Sequence, residues 1–384
     1  MKECTMQKVS SCPELQELFR RAQSEKQAVY LYRSPQPGGI GLDFSDWKDI
    51  EVFDLDNLMV IVPPGLKLGE LNEIAQAKGL RFLPGDTPFY QDLTVGEWAY
   101  RGCPNPSAWK YGAGKHFLLG ATYLFPNGDL TPVGGQCIKN VTGYDFTRFL
   151  TGAYADLAVG VRYIMKLMPQ PAFRRRFDLT VETLADAVSI VSSLQSRSVP
   201  PAWLFWADEA AGEALFKEPQ KGHRIILELD GNETEVRAYG EALEQIIGCA
   251  VLRQEPGHIP DLSHIEKDPS DFWLLDEFKV PYGKALAFAA SFETKLSQQG
   301  LSGGLFGHLG DGKIHLYLKQ TGATEAADIV AAMTAEAAAA GGAGSGKYRR
   351  LYGTQGASPL DNIEQSFKQR FDPGLIFNRK EACQ

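Results

Sequence analysis

His308 and His315 stand on either side of a Gly-Asp-Gly turn in FGHLGDGKIHLYL (306–318). A tight turn between two short strands can bring such positions onto facing strands of one hairpin, where both rings can point to one spot. An imidazole titrating near neutrality can take a hydroxyl proton, and two neutral imidazoles at one spot can ligate a divalent, zinc-like ion. His308 and His315 are therefore candidates both for catalysis and for a metal. Two histidines alone are a weak ligand set for a catalytic metal.

A second stretch has the character of a ligand wall. It runs from Thr131 to Leu167, TPVGGQCIKNVTGYDFTRFLTGAYADLAVGVRYIMKL. A glycine turn at Gly134-Gly135 leads through KNVTGYD into a short amphipathic helix, Phe146 to Leu150, and then an apolar strand. Gly135, Gly143, Gly152 and Gly160 supply small positions and the apolar residues between them a wall, a pattern that lets backbone approach a bulky ligand.

The elements that must position these residues follow from periodicity. PELQELFRRAQS (13–24) has helical spacing and QAVYLYRS strand character. Residues 49–62 predict a hairpin around DLDN, and 67–78 a helix stopped by Gly79. FLLGATYLFPNGDLTPVGG predicts a second hairpin, with Asn-Gly in its turn. Beyond the linker MPQPAFRRRF (168–177), strands such as PAWLFWAD and RIILELDG alternate with amphipathic helices. That alternation predicts an α+β unit with an antiparallel sheet. The alternation resumes in SDFWLLDEFKVPYGKALAFAASFETKL, just before the two histidines.

Composition bounds the function. A chain of 384 residues, 44% hydrophobic, predicts two domains with ample core. A net charge of −8 and the lack of a basic stripe argue against a nucleic-acid partner. No apolar run approaches the roughly 20 residues that span a bilayer. The N-terminus has no hydrophobic signal core, so a cytoplasmic location is expected, with any membrane association through a partner. None of the six cysteines forms a C-x-x-C pair, so this chain alone is not expected to carry an iron–sulfur cluster or zinc ribbon. No strand–GxGxxG–helix is present, which excludes a nicotinamide-dependent Rossmann enzyme.

Thr131–Leu167 closely resembles, without a gap, the flavin-binding domain of the vanillyl-alcohol-oxidase-type (PCMH-type) flavoproteins, and in particular their glycolate oxidase and D-lactate dehydrogenase subunits. TVGEWAYRGCPNPSAWKYG (94–112) has the length of the family's TIGGxVAxNxxGxxxxxYG, with Glu97 at the second glycine. RFLPGD resembles the family's LPxDP, FGHLGDGKIH its GHxGDGNxH, and FDPGLIFN its closing FDPxGxLN. At the diphosphate loop, RGxGTS in the family, this chain keeps only Arg33 and Gly38-Gly39 in a shorter loop.

The resemblance implies an α+β fold: a two-subdomain FAD-binding domain over residues 1–171, then an antiparallel-sheet, ferredoxin-like cap over 172–384 whose C-terminal segment returns to the flavin domain. It implies FAD held by Gly85, Thr94, Val95, Gly96, Tyr111, Gly112, Val141, Thr142, Gly143, Gly152, Gly160, Val161 and Asn378. A carboxylate at Glu97 would repel a diphosphate and is expected to point away from it. Lys279 falls where members present substrate-facing residues and is a candidate carboxylate clamp. Metal-dependent members add ligands from a GEHGxG motif. Here the corresponding region has no Glu-His pair and offers only Glu336, in an alanine-rich helix. The implied activity is flavin-linked oxidation of a small 2-hydroxy acid such as glycolate or D-lactate, with electrons passed to an iron–sulfur or second flavin subunit. The alternative is a non-catalytic subunit of such a complex that kept the fold.

Overall fold

The amphipathic N-terminal segment forms α1 (Cys12–Glu25), which has Pro13 in its first turn and buries Leu15, Leu18, Phe19 and Ala22. Proline is tolerated there because the N–H it lacks would have no intrahelical partner. In the computed structural model, which describes residues 5–32, 35, 37–137, 144–152, 157–248, 251–252, 273–310, 312–318, 323–344 and 359–379, α1 packs on a parallel three-stranded sheet. Its strands are β1 (Thr5–Lys8), β2 (Val29–Tyr30) and β3 (Ile40–Asp43), in the order β1-β3-β2.

A second, antiparallel sheet completes the first domain. It is built from β4 (Val52–Asp54), β5 (Met59–Val62), β7 (Leu118–Leu124), β8 (Leu130–Gly134) and β9 (Val159–Lys166), ordered β4-β5-β9-β7-β8. Both hairpins expected from the sequence are present, β4–β5 and β7–β8. Between them run α2 (Leu68–Gln76), β6 (Leu80–Arg81), α3 (Val95–Tyr100) and α4 (Ala108–Tyr111). Between β8 and β9 lies α5 (Phe146–Leu150). A short strand, β10 (Met168–Pro169), pairs with β6.

Eight strands form the sheet of the second domain: β11 (Phe173–Val181), β12 (Trp203–Ala207), β13 (His223–Gly231), β14 (Val251–Leu252), β15 (Trp273–Lys279), β16 (Gly303–His308), β17 (Lys313–Leu318) and β18 (Ala343–Gly344). Their order is β14-β11-β13-β12-β16-β17-β15-β18, with antiparallel pairing throughout. The fold is thus α+β.

Period-two alternation gives this sheet two different faces. Leu179, Leu204, Trp206, Ile225, Leu227, Phe278, Leu305, Ile314 and Leu316 point one way, onto α6 (Leu184–Ser196), α8 (Glu233–Ile246), α9 (Ala285–Gln298) and α10 (Ala323–Ala339). Trp203, Phe205, Ile226, Phe306 and Tyr317 point the other way and join the core of the first domain with Phe82, Phe89, Tyr90 and Trp98. Also in that core are Ala211 and Leu215 of α7 (Glu209–Phe216). After α11 (Pro359–Phe371) the chain returns to the parallel sheet, where Phe377 bridges to Val29 and packs edge-on against Phe19.

Candidate active site at the seam of the two domains

The register of the β16–β17 hairpin decides what the two histidines can do. His315 lies opposite Phe306 and His308 opposite Lys313, so the two imidazoles and Lys313 share the face turned to the first domain. Neighbouring strands extend that face with Phe205 opposite His308, Glu277 opposite His315 and Lys279 opposite Lys313. The hairpin can approach the first domain this closely because Gly310 has no side chain. A Cβ there would lie 2.6 Å from the carbonyl oxygen of Pro106 in the first domain.

His308 is fully buried in an aromatic cage of Phe89, Tyr90 and Phe205, with ring centroids 4.5, 5.5 and 5.8 Å away. Its Nε2 lies 3.2 Å from the Tyr90 hydroxyl. Burial, aided by the charges of His315 and Lys313, holds its pKa well below the ordinary 6.5, so the ring is neutral at neutral pH. His315 stacks on Phe306 at 4.9 Å, and the two imidazoles are 6.0 Å apart, edge to face.

The metal expected from the sequence is not supported. Among the described residues no group of three or more histidine, cysteine, aspartate or glutamate side chains could hold an ion. The charge opposite His308 is the ammonium of Lys313, which repels a divalent cation, and Glu277 is engaged with that ammonium at 3.0 Å. Asp311, in the turn, lies outside the described residues. Glu336 on α10 pairs with Lys295 at 2.5 Å, on the helix-covered side of the sheet.

Three lysines gather at this seam. Lys279 and Lys313 are direct cross-strand partners, an arrangement of like charges that is unfavourable without compensation. Lys115, in the turn of helix at Gly114–Phe117, donates to the carbonyls of Thr151 and Arg148 at 3.3 and 3.4 Å. Its pKa is lowered by burial and by the positive charge of Lys279. Lys279 is exposed, whereas Lys313 is buried and Lys115 half-buried. This cationic edge could receive a small carboxylate.

Next to it, a charge network spans the domains. Arg81 donates to Asp230 at 2.8 Å and to Asp86 at 3.1 Å, and Lys110 and Tyr111 donate to Asp230 at 2.9 and 2.7 Å. Arg174 donates to Asp86 at 2.6 Å. Burial would raise the Asp230 pKa, but the bonds from Tyr111 and Lys110 and the charge of Arg81 outweigh it, and the carboxyl stays below its usual range. The hydroxyl of Tyr111, expected to line a cofactor, is thus tied into the domain seam. Gly112 follows at φ +84.

The other positions expected from the sequence to hold FAD lie as follows. Thr94 is the N-cap of α3, and Val95 is fully buried in the core. A Cβ on Gly96 would overlap the Tyr32 hydroxyl, and one on Gly160 the Tyr163 hydroxyl. A Cβ on Gly85 would lie 2.6 Å from the Leu68 carbonyl, and one on Gly152 2.9 Å from Gly102 Cα. Val161 is buried in the core around α1. Asn378 accepts from Leu31 N–H at 2.9 Å, tying the C-terminal segment to the end of β2. Val141, Thr142 and Gly143 lie outside the described residues, as do Arg33 and Ser34 of the shortened loop.

A dinucleotide therefore fits this chain unevenly. The small positions at Gly85, Gly96 and Gly160 are taken up by the protein itself, whereas no described residue lies within 4 Å of a Cβ on Gly135. Glu97, expected to turn from a diphosphate, folds back to accept from Thr94 N–H at 3.0 Å. Sequence reasoning missed Tyr90, Lys115 and the Arg81–Asp230 pair. No local pattern marks them, since each acts through a residue distant in sequence. Glu97 was readable, because Thr-x-x-Glu before an apolar run is a capping-box signature.

Comparison with known proteins gives a consistent picture. Residues 21–162 match the family described as FAD binding domain, and residues 170–381 the family described as FAD linked oxidases, C-terminal domain. The chain is 26% identical over 301 residues to "Glycolate oxidase subunit GlcD" of Bacillus subtilis (strain 168), a match covering 73% of this chain and 63% of that protein. It is 22% identical over 383 residues to "D-lactate dehydrogenase" of Anaerostipes hadrus, covering 90% and 80%. With "Glycolate oxidase subunit GlcE" of Escherichia coli (strain K12) the identity is 25% over 387 residues, covering 95% of each. The fold is shared with a solved p-cresol methylhydroxylase, at TM-score 0.71 and 16% identity over 97% of this chain and 87% of that one. Among the described residues no helix is long and apolar enough to cross a membrane.

Proposed function

The chain belongs to the FAD linked oxidases, and from that premise we propose that it oxidises a small 2-hydroxy acid of the glycolate or D-lactate type. The observation that carries this reading is the face of the eight-stranded sheet turned to the first domain, where two histidines lie beside a cationic edge. A 2-hydroxy acid presents a carboxylate and a neighbouring hydroxyl. Lys279, exposed, and Lys115, across the seam, supply the positive charge that orients the carboxylate. Lys313 is neutralised by Glu277, so the charge offered to the carboxylate comes from Lys279 and Lys115.

His308, neutral because it is buried, is the proton acceptor, and the Tyr90 hydroxyl at its Nε2 connects it to the seam. FAD, when bound, supplies the two-electron acceptor for the α-hydrogen. The aromatic cage around His308 keeps water from the imidazole. The proposed electron acceptor is a partner, an iron–sulfur or second flavin subunit; if clusters carry the electrons, another polypeptide must hold them, since this sequence has no C-x-x-C pair. The relatives named as glycolate oxidase subunits support a multi-subunit setting.

The test is dye-linked oxidation of glycolate, D-lactate and D-2-hydroxyglutarate by the purified protein, alone and with its partner subunits. Dye reduction with at least one acid supports the reading. No reduction with any acid, in either setting, rejects it. A second reading, a non-catalytic subunit that retains the fold, is favoured by one observation: Glu97 caps α3, accepting from Thr94 N–H at 3.0 Å, where a diphosphate would otherwise meet the helix start.

A further inference from the structure

The first turn of a helix leaves N–H groups without intrahelical partners, and these make a helix start attractive to a phosphate. At α3 they are already used. Val95 N–H donates to the Leu66 carbonyl at 2.8 Å and Gly96 N–H to the Pro64 carbonyl at 2.9 Å. Glu97 N–H donates to Thr94 Oγ1 at 3.2 Å, while Thr94 N–H donates to Glu97 Oε2 at 3.0 Å. The Glu97 carboxylate thus sits where an anion would sit, and it is itself an anion.

Tyr32 closes the same place from the other side. Its backbone is left-handed, at φ +56, which is uncommon for a bulky residue. Its ring packs on Tyr100 at 5.1 Å, and its hydroxyl fills the space that the missing side chain of Gly96 leaves. The smallness of Gly96 is therefore accounted for by a tyrosine of this chain. Both devices come from places where the sequence departs from the flavoprotein pattern, the shortened loop after Tyr32 and the glutamate at position 97.

We propose that Tyr32 and Glu97 close the start of α3 from within, so that this chain does not seat a dinucleotide diphosphate on the Thr94-Val95-Gly96 backbone. The inference rests on the family membership and concerns the diphosphate alone, since the seam around His308 is formed by other residues. A diphosphate brought to α3 meets the Glu97 charge and finds no free N–H. The plug thus weakens FAD binding and leaves a ligand without phosphates unaffected.

The test is equilibrium binding of FAD, ADP and riboflavin to the full-length protein by calorimetry. The variants are Glu97→Gln, which keeps a cap acceptor without the charge, and a Tyr32→Gly/Glu97→Gly double variant, in which glycine accepts the left-handed backbone. Thermal melts check that each variant is folded. FAD and ADP are expected to bind the double variant at least about tenfold more tightly than wild type, and Glu97→Gln in the same direction by less, with riboflavin unchanged. FAD and ADP affinities unchanged or weakened in both variants would overturn the plug, as would riboflavin tightening in parallel with FAD. Catalysis is not read out, so failure of hydroxy-acid oxidation does not bear on the result.

Discussion

Arg81 and Asp230 meet at 2.8 Å across the two domains, with side chains 4% and 0% exposed. Arg81 comes from β6 of the first domain and Asp230 from β13 of the second, 149 residues later in the chain. Lys110 and Tyr111 add bonds to the same carboxylate, and Arg81 also holds Asp86. Charges taken out of water are tolerated when they are mutually paired and their hydrogen-bonding capacity is filled. This cluster fixes how the sheet face carrying His308 is presented to the first domain.

Removal of the carboxylate leaves the buried Arg81 and the part-buried Lys110 without their shared partner. Asp230→Ala is expected to destabilise the protein by about 3–5 kcal/mol, the usual cost of breaking a buried ion pair. Urea denaturation measures it. A loss under about 1 kcal/mol, the range typical of surface pairs, would show that the network does not hold the domains together.

The pH dependence follows from His308. Its folded pKa lies well below the ordinary 6.5, so between those values the unfolded chain binds a proton that the folded chain refuses. Stability linked to this residue is present above pH 6.5 and is lost as the pH falls through that window towards the folded value. Denaturant melts from pH 7 downward should show a shallower acid limb in His308→Gln than in wild type. Superimposable limbs would mean that His308 does not govern that loss.

At the cationic edge, Lys279→Ala and Lys115→Ala are each expected to raise KM for the hydroxy acid about tenfold, with a smaller change in kcat. Lys115→Arg, which keeps the charge, should recover part of the loss. Steady-state kinetics with a dye acceptor decides. Unchanged KM in both alanine variants would remove the lysines from carboxylate binding.

The histidine pair gives a sharper expectation. His308→Ala combined with His315→Ala should abolish hydroxy-acid oxidation in a protein that still folds, by circular dichroism. Loss of a general base is worth about a hundredfold or more in rate. Wild-type rates in the double variant would leave the pair a purely structural role in the aromatic core.

Much of the fold was legible because local rules set it. The 3.6-residue period marks α1 and α2, and Phe146 to Leu150 forms a helix over the span expected from the sequence. Asn-Gly marks the turn between β7 and β8. The joining of β12 to β16, which draws the histidine hairpin into one eight-stranded sheet, was not legible, since pairing between distant strands leaves no local trace. Shared sheet geometry brings His308 and His315 to one face, as their spacing implied, but the lysine opposite His308 makes that face unsuited to a metal. Gly96 shows how one signal can have two causes. A glycine spared for a ligand and a glycine spared for Tyr32 look the same in sequence.

The most direct measurement is the visible absorption spectrum of the purified protein supplied with FAD, before and after anaerobic addition of glycolate or D-lactate. The account predicts a bound-flavin spectrum whose long-wavelength bands bleach on addition of one of these acids, and whose bleaching is lost in the His308→Ala/His315→Ala variant. A bound-flavin spectrum that neither acid bleaches, with dithionite still able to reduce it, would contradict hydroxy-acid oxidation by this chain.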